Sequence, residues 1–483
     1  GCHESGYTEF TLDISKHIKP GKNFIAVMVD NRSLITKWPN DRGYFSYGGI
    51  HRDVYLELYD DVYLEALSVT PVYIPEEGCG AVELSGVLRG RESAEISIAL
   101  GRTERMLHIS EGRFTTTEKY ESVSCWSPES PTIYDFSVSL DGEKYFCNPI
   151  GFRSVETKDG SFFLNGKDYH LNGCCYVYDS PSYGLVMEEG QLAFDLSEMK
   201  AAGVNAIRTH FPMDDKFYNM CDKMGFLVWI EPNIYCCKPS KDQTQTPFAE
   251  HESVRVAFSM TSEMIASARC HPCVAIYALG NECNVEHPEA IEFFRNLAAL
   301  VRETDSTRLV GYAALYGLVG SIGEVLDIIG INSYYGWYDK IGDIYEHKNK
   351  AASDGFVEQE KVDLSEFHSM IDKALLRLPP ELPLLLTEFG ADSLPGFHSS
   401  CLDLWSEEYH AEVIKEMINA SRKHERICGT FVFAFIDYMD PCKPLNGFWK
   451  GENLKGMLSY QRDRKQPFYA LQKVYTDSST DND

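Results

Sequence analysis

The chain has 483 residues, 44% of them hydrophobic and 12% aromatic, which allows two to four domains with a sizeable core and excludes a disordered polymer. Its 72 acidic and 45 basic residues give a formal net charge of −27, which argues against nucleic acid and anionic membranes as partners. The same field repels a small anion, so an anionic substrate needs a local cation in its pocket.

No apolar run has the length of a membrane span, and the N-terminus carries no basic-then-apolar signal. The fifteen cysteines are odd in number and scattered. Cys174-Cys175 and Cys236-Cys237 are adjacent pairs ill suited to a disulfide framework. Cys270-His271-Pro272-Cys273 is a lone C-x-x-C that leads straight into an apolar run, so it reads as core rather than as a zinc or redox motif. Free thiols in a reducing, cytoplasmic compartment are the expectation.

In chain order, residues 1–60 alternate apolar and polar in T-E-F-T-L-D-I and N-F-I-A-V-M-V-D, with Pro20-Gly21 between. That pattern predicts half-buried antiparallel strands joined by a turn. Residues 61–150 hold about seven short alternating runs, among them V-E-L-S-G-V-L, A-E-I-S-I-A-L and Y-D-F-S-V-S-L, and predict an immunoglobulin-like β-sandwich.

From Gly151 to Asp483 the period switches between strands and helices. Strands are predicted at Tyr169–Cys175, Val204–Arg208, Phe226–Glu231, Val274–Leu279, Arg308–Tyr312, Val325–Asn332, Leu384–Glu388 and Cys428–Phe435. Amphipathic stretches lie between them, such as A-F-D-L-S-E-M-K-A-A-G with Gly203 as its stop. Eight strands alternating with helices predict a (β/α)8 TIM barrel.

Two of the apolar runs stand out for the carboxylate that closes them. V-A-I-Y-A-L-G-N-E-C closes on Asn281 and Glu282, and L-P-L-L-L-T-E-F-G closes on Glu388. The glutamates are 106 positions apart (388 − 282), about three strand–helix units, and would top strands four and seven. Two carboxylates at the mouth of a barrel are the minimum kit for glycoside hydrolysis. Strand six runs into N-S-Y-Y-G-W-Y, whose rings and phenols suit a sugar's C–H faces and hydroxyls. Packing of that loop on itself is the competing reading for Tyr335 and Trp337.

R-C-H-P-C-V-A-I-Y-A-L-G-N-E together with L-T-E-F-G resembles glycoside hydrolase family 2. The resemblance implies Glu282 as acid/base and Glu388 as nucleophile, with retention at the anomeric carbon and Asn281 beside them on the substrate. It also implies that Tyr334 and Tyr338 face the carboxylates, that Arg208 of N-A-I-R-T-H-F-P keeps the nucleophile ionised, and that His210 is a supporting residue set one position off the family's usual spacing. C-W-S-P-E-S-P-T-I-Y resembles the family's W-S-P-E-x-P-x-L-Y signature, with Trp126 as core. G-Y-T-E-F and Y-G-G-I-H-R-D-V-Y-L-E resemble the closing strands of its jelly-roll sugar-binding domain, with the earlier strands missing. The domain expectation is therefore a partial jelly roll at 1–60, the sandwich at 61–150 and the catalytic barrel at 151–483, in a chain truncated at its start.

G-E-N-L-K-G (Gly451 to Gly456) resembles the N-x-K-G loop of the β-glucuronidase branch, which makes Asn453 and Lys455 a clamp for a sugar carboxylate. One charge-assisted hydrogen bond of about 1.5–3 kcal/mol is enough for a preference of about ten- to hundredfold. Against the branch, Val177 stands where a polar sugar contact is usual, Phe433-Ala434-Phe435 where Trp-Asn-Phe is usual, Trp449 where an arginine is frequent, and Gly43, beside Arg42 and Asp41, where an aspartate is usual.

The expected activity is that of a retaining β-glucuronidase acting on a small-molecule or oligosaccharide glucuronide. No cofactor or metal is expected, neither nucleic acid nor membrane is a partner, and a homo-oligomer is open. A β-galacturonidase, a β-galactosidase or a non-catalytic carbohydrate-binding protein are the alternatives.

Overall fold

The computed structural model describes residues 1–32, 34, 36–39, 47–235, 246–317, 319–341, 362, 364–443 and 451–477. Asp41, Arg42, Gly43, Trp449 and the pair Cys236-Cys237 lie outside the described residues.

Long alternating runs build the first sheet. Its strands are β1 (Tyr63–Ile74), β2 (Cys79–Leu100), β3 (Thr103–Tyr120), β4 (Tyr134–Leu140) and β5 (Glu143–Ile150), ordered β1-β2-β4-β5 with β3 also on β2. Fewer strands form than the seven runs predict. V-E-L-S-G-V-L and A-E-I-S-I-A-L are two halves of β2, and the ladder with β3 shifts register between Leu88 and Ser93. The first half pairs with β1 and the second with β4, so Leu84, Leu88, Ile96, Ile98 and Val138 share one apolar core.

A small sheet of β6 (Val155–Lys158), β7 (Ser161–Leu164) and β8 (Lys167–Asp168) leads into the barrel. Eight parallel strands then close on themselves: β9 (Leu171–Cys175), β10 (Ala206–Thr209), β11 (Leu227–Ile230), β12 (Val274–Asn281), β13 (Leu309–Leu315), β14 (Ile328–Asn332), β15 (Leu384–Glu388) and β16 (Ile427–Val432). Each coincides with a predicted strand to within a few residues. Every residue of β12 is buried, as expected of a strand covered on both faces.

The outer layer comprises α1 (Glu189–Ala201), α2 (Asp215–Met224), α3 (His251–Ala268), α4 (Pro288–Thr304), a short α5 (Tyr338–Ile341), α6 (Ser365–Arg377), α7 (Glu407–Ser421) and α8 (Gln466–Thr476). Gly203 ends the α1 segment with φ +82°, a left-handed turn that a side chain would strain. Between α7 and α8, the chain beyond β16 folds into a ribbon of β17 (Tyr438–Met439) and β18 (Glu452–Asn453), with Tyr438 opposite Asn453.

The sheet is bolted to the closed end of the barrel, away from the strand tips. Trp126, fully buried, donates from Nε1 to the carbonyl of Asp222 at 2.8 Å. Arg153 donates from Nε to the carbonyl of Pro272 at 3.1 Å and from Nη1 to that of Thr307 at 2.9 Å. The C-x-x-C belongs to the same base: Asp222 binds the ring of His271 at 2.7 Å and the backbone N–H of Cys273 at 2.9 Å.

Residues 1–60 depart from expectation. No described residue there is in a strand, and Phe24 and Met28 are 85% and 93% exposed. Alternation marks a face that could be buried, but a strand also needs a neighbour to complete its hydrogen bonds and a surface to pack on. The segment is held by scattered anchors instead. Tyr7 stacks on Phe211 at 4.4 Å, Trp38 Nε1 donates to the carbonyl of Ser253 at 2.8 Å, and Arg52 Nη2 donates to the carbonyl of Pro212 at 2.5 Å.

Candidate active site

Parallel strands of similar length bring their C-terminal residues to one rim, and Arg208 on β10 occupies its centre. The guanidinium, with no exposed surface, donates from Nε to Glu231 Oε1 at 2.7 Å, from Nη1 to Glu388 Oε1 at 2.8 Å and from Nη2 to Asn281 Oδ1 at 2.9 Å. A planar fork of donors suits several oxygens at once. Glu388, at the tip of β15, also meets His210 Nε2 at 3.1 Å through Oε1 and accepts from Tyr334 Oη at 2.7 Å through Oε2. Burial alone would push its carboxyl up, but Arg208, His210 and Tyr334 outweigh it and hold it at about 2.

Glu282 follows β12 with φ +52°, a left-handed backbone uncommon for a side chain of this size. The β12–β13 ladder shifts register between Ala278 and Asn281 just before it. Asn332, at the tip of β14, gives Nδ2 both to Glu282 Oε1 at 2.7 Å and to Asn281 Oδ1 at 2.9 Å. Thr387 Oγ1 fixes the other end of that amide at 2.8 Å. Glu282, Asn332, Asn281, Arg208 and Glu388 thus form one continuous chain of polar contacts, none longer than 2.9 Å.

Sequence comparison decides what this rim belongs to. The family description "Glycosyl hydrolases family 2, TIM barrel domain" matches residues 155–479, the whole barrel. The chain is a family 2 glycoside hydrolase. Its similarity is to the family's β-glucuronidase branch: 24% identity to the mouse β-glucuronidase over 98% of this chain and 74% of that protein, and 28% to the Bacteroides fragilis β-glucuronidase over 97% and 68%. Among solved structures, a β-galacturonidase from Eisenbergiella tayi bound to galacturonate superposes with a TM-score of 0.79 at 24% identity, covering 92% of this chain and 78% of its own. A β-D-glucuronidase from Dictyoglomus thermophilum gives 0.75 at 22%, over 90% and 72%. These last two establish shared fold.

The loop of this family 2 enzyme that carries Asn453 and Lys455 closes over the same rim. Gly456 has to be glycine, because a Cβ there would lie 2.2 Å from the Asp437 nitrogen, which brings the loop against the ribbon. Asp437 Oδ1 accepts from Gly456 N at 2.7 Å and from Lys465 Nζ at 3.0 Å. Lys455, 1% exposed, lies over the ring of Tyr338 at 4.8 Å and that of Tyr334 at 5.6 Å. Asn453 Nδ2 donates to Tyr438 Oη at 3.1 Å and Asp440 Oδ2 at 3.2 Å. All nine residues named from the sequence (Arg208, His210, Asn281, Glu282, Tyr334, Tyr338, Glu388, Asn453 and Lys455) lie in this one region.

The sequence reading left four buried participants without a role. Glu231 caps β11 as Glu388 caps β15, and its apolar run V-W-I-E carried the same signal. Asn332 was visible only as the amide that ends a strand. Trp337 donates from Nε1 to Asp392 Oδ2 at 2.9 Å, whereas Tyr335 packs on Tyr316 at 5.4 Å as an ordinary aromatic pair. Asp392 gave no signal at all. Of the departures, Phe433 puts an apolar ring between His210, Tyr334 and Tyr438, with centroids 5.8, 6.3 and 6.2 Å away, and Val177 is buried just past β9.

Proposed function

We propose that this enzyme is a retaining β-glucuronidase. Glu388 attacks the anomeric carbon while Glu282 passes its proton to the glycosidic oxygen, and the aglycone leaves as an alcohol. Glu282, now a carboxylate, takes a proton from water as that water displaces Glu388 from the sugar, returning both groups to their starting states. The observation that carries this reading is the environment of Glu388. Three donors on one buried carboxylate keep it ionised and aimed, as a nucleophile requires. Asn332 Nδ2, at 2.7 Å from Glu282 Oε1, fixes the direction of the second carboxyl, and the acid/base role falls to Glu282 as the partner of an ionised nucleophile.

The uronate preference rests on Lys455, whose ammonium lies over the ring of Tyr334, the residue whose hydroxyl binds Glu388, and on Asn453, two residues before it in the same loop. In a chain of net charge −27, a buried ammonium at the rim is what an anionic sugar would need. A galacturonide is the second reading: Phe433 and Val177 stand where the branch has polar sugar contacts, so those positions do not fix the epimer. A reducing compartment is proposed on the thirteen free cysteines among the described residues.

The test is labelling with a 2-fluoro-glucuronyl fluoride followed by peptide mapping, beside hydrolysis of nitrophenyl β-glucuronide, β-galacturonide and β-galactoside. Labelled Glu388 and a glucuronide preference are expected; Glu388→Gln should lower turnover by at least about 10⁴-fold. Inversion of the anomeric centre, or full activity in Glu388→Gln, would refute the mechanism.

A further inference from the structure

The Lys455 ammonium does not wait alone. Its Nζ donates to Asp392 Oδ2 at 2.5 Å, and that same oxygen accepts from Trp337 Nε1 at 2.9 Å and lies 3.6 Å from Lys443 Nζ. The second oxygen, Oδ1, accepts from the backbone N–H of Leu454 at 3.0 Å, next to Lys455 in the loop. Asp392 has no exposed surface. Burial by itself raises its carboxyl, yet Lys443 and Lys455 draw it far below the usual range. Asp440, on Asn453, is the other carboxylate facing these ammoniums.

Asp392 also stands only four residues beyond Glu388 on the same segment, T-E-F-G-A-D. A carboxylate that grips both the lysine and its loop from that position ties the clamp to the nucleophile through a short piece of backbone. We propose that Asp392 is a positioning and specificity-determining residue, which holds the Lys455 ammonium at a set distance from Glu388 so that the enzyme accepts uronides. It acts through Lys455, not on the reacting atoms. Among the described residues, Asp392 takes one N–H of the ammonium, which leaves two for the substrate's carboxylate. Without Asp392, the Lys443 and Lys455 ammoniums would lose the carboxylate they share, and Lys455 would move away. This inference rests on the uronide reading above.

The test is a double-mutant cycle on the full chain, using kcat/KM for nitrophenyl β-glucuronide and for the neutral nitrophenyl β-glucoside. Asp392→Asn is expected to lower the uronide value about ten- to hundredfold, mainly through KM, and the neutral value less than about threefold. Placed on Lys455→Ala, it should add almost nothing. Equal loss on both glycosides, or a full additional loss on Lys455→Ala, would overturn the proposal and leave Asp392 a structural residue. If Asp392→Asn is harmless while Lys455→Ala is impaired, the inference falls and the uronide reading stands. If Lys455→Ala itself leaves the uronide value unchanged, the reading falls and takes the inference with it. Should Asp392→Asn fail to fold, Trp337→Phe decides: it removes one donor from Asp392 Oδ2 and should cost about two- to fivefold on the uronide alone, with no effect in Lys455→Ala. An unchanged uronide value in Trp337→Phe would count against the proposal.

Discussion

At Arg208 one guanidinium is shared by two carboxylates, Glu231 and Glu388; at Asp392 one carboxylate is shared by two ammoniums, Lys443 and Lys455. The two nodes are both buried, and Tyr334 joins them, with its hydroxyl on Glu388 and its ring beneath Lys455. Their inverted stoichiometry matches two tasks. On the proposed mechanism, the carboxylates sit where an oxocarbenium-like centre would develop, and the ammoniums where a sugar's own anion would lie. Neither node could be built from one charge, because an unpaired buried ion costs several kcal/mol.

Breaking the first node should have the largest effect. Arg208→Met leaves Glu231 and Glu388 without their cation, and kcat/KM should fall about 10²–10³-fold, with a loss of stability on the order of 3–5 kcal/mol in denaturant titration. The pH dependence sharpens the point. Glu388 is held at about 2, below its ordinary value, so its contribution to stability is complete above the unfolded carboxylate range and is lost as pH falls through about 2. Removing Arg208 should raise that carboxyl and move the acid limb of kcat/KM to higher pH. A limb that stays in place would mean that His210 and Tyr334 suffice.

Breaking the second node should be milder and selective. Lys455→Ala is expected to cost about ten- to hundredfold on a glucuronide and little on a neutral hexoside, measured as the ratio of their kcat/KM values. Lys443→Met should cost about fivefold on the glucuronide, since it contacts Asp392 at the longer distance of 3.6 Å. The smallest catalytic effect belongs to neither node. Trp126→Phe, at the far end of the barrel, should lower stability by about 1–3 kcal/mol in thermal unfolding and leave kcat/KM within about twofold. A larger kinetic change there would show that the sheet and the rim are coupled.

How far the sequence went can be judged from two neighbours. Glu388 was legible because it closes an apolar run, and the predicted strand Leu384–Glu388 is the strand that forms. Asp392, four residues on, was not, because its partners Lys455 and Trp337 are 63 and 55 positions away. The same limit hid Glu231's role, although its run had the right shape. Residues 1–60 show the converse error. Phe24 to Val29 have the apolar, β-branched make-up of a strand, and the described residues form none.

By itself the sequence determined the eight-stranded barrel and the two carboxylates at its rim, since periodicity and strand ends are local properties that burial imposes on short stretches of chain. Only the tertiary structure decided which charges meet, which amide spans Glu282 and Asn281, and what holds the first sixty residues. Pairing and electrostatics depend on distances between residues far apart in the chain, and no local pattern encodes them.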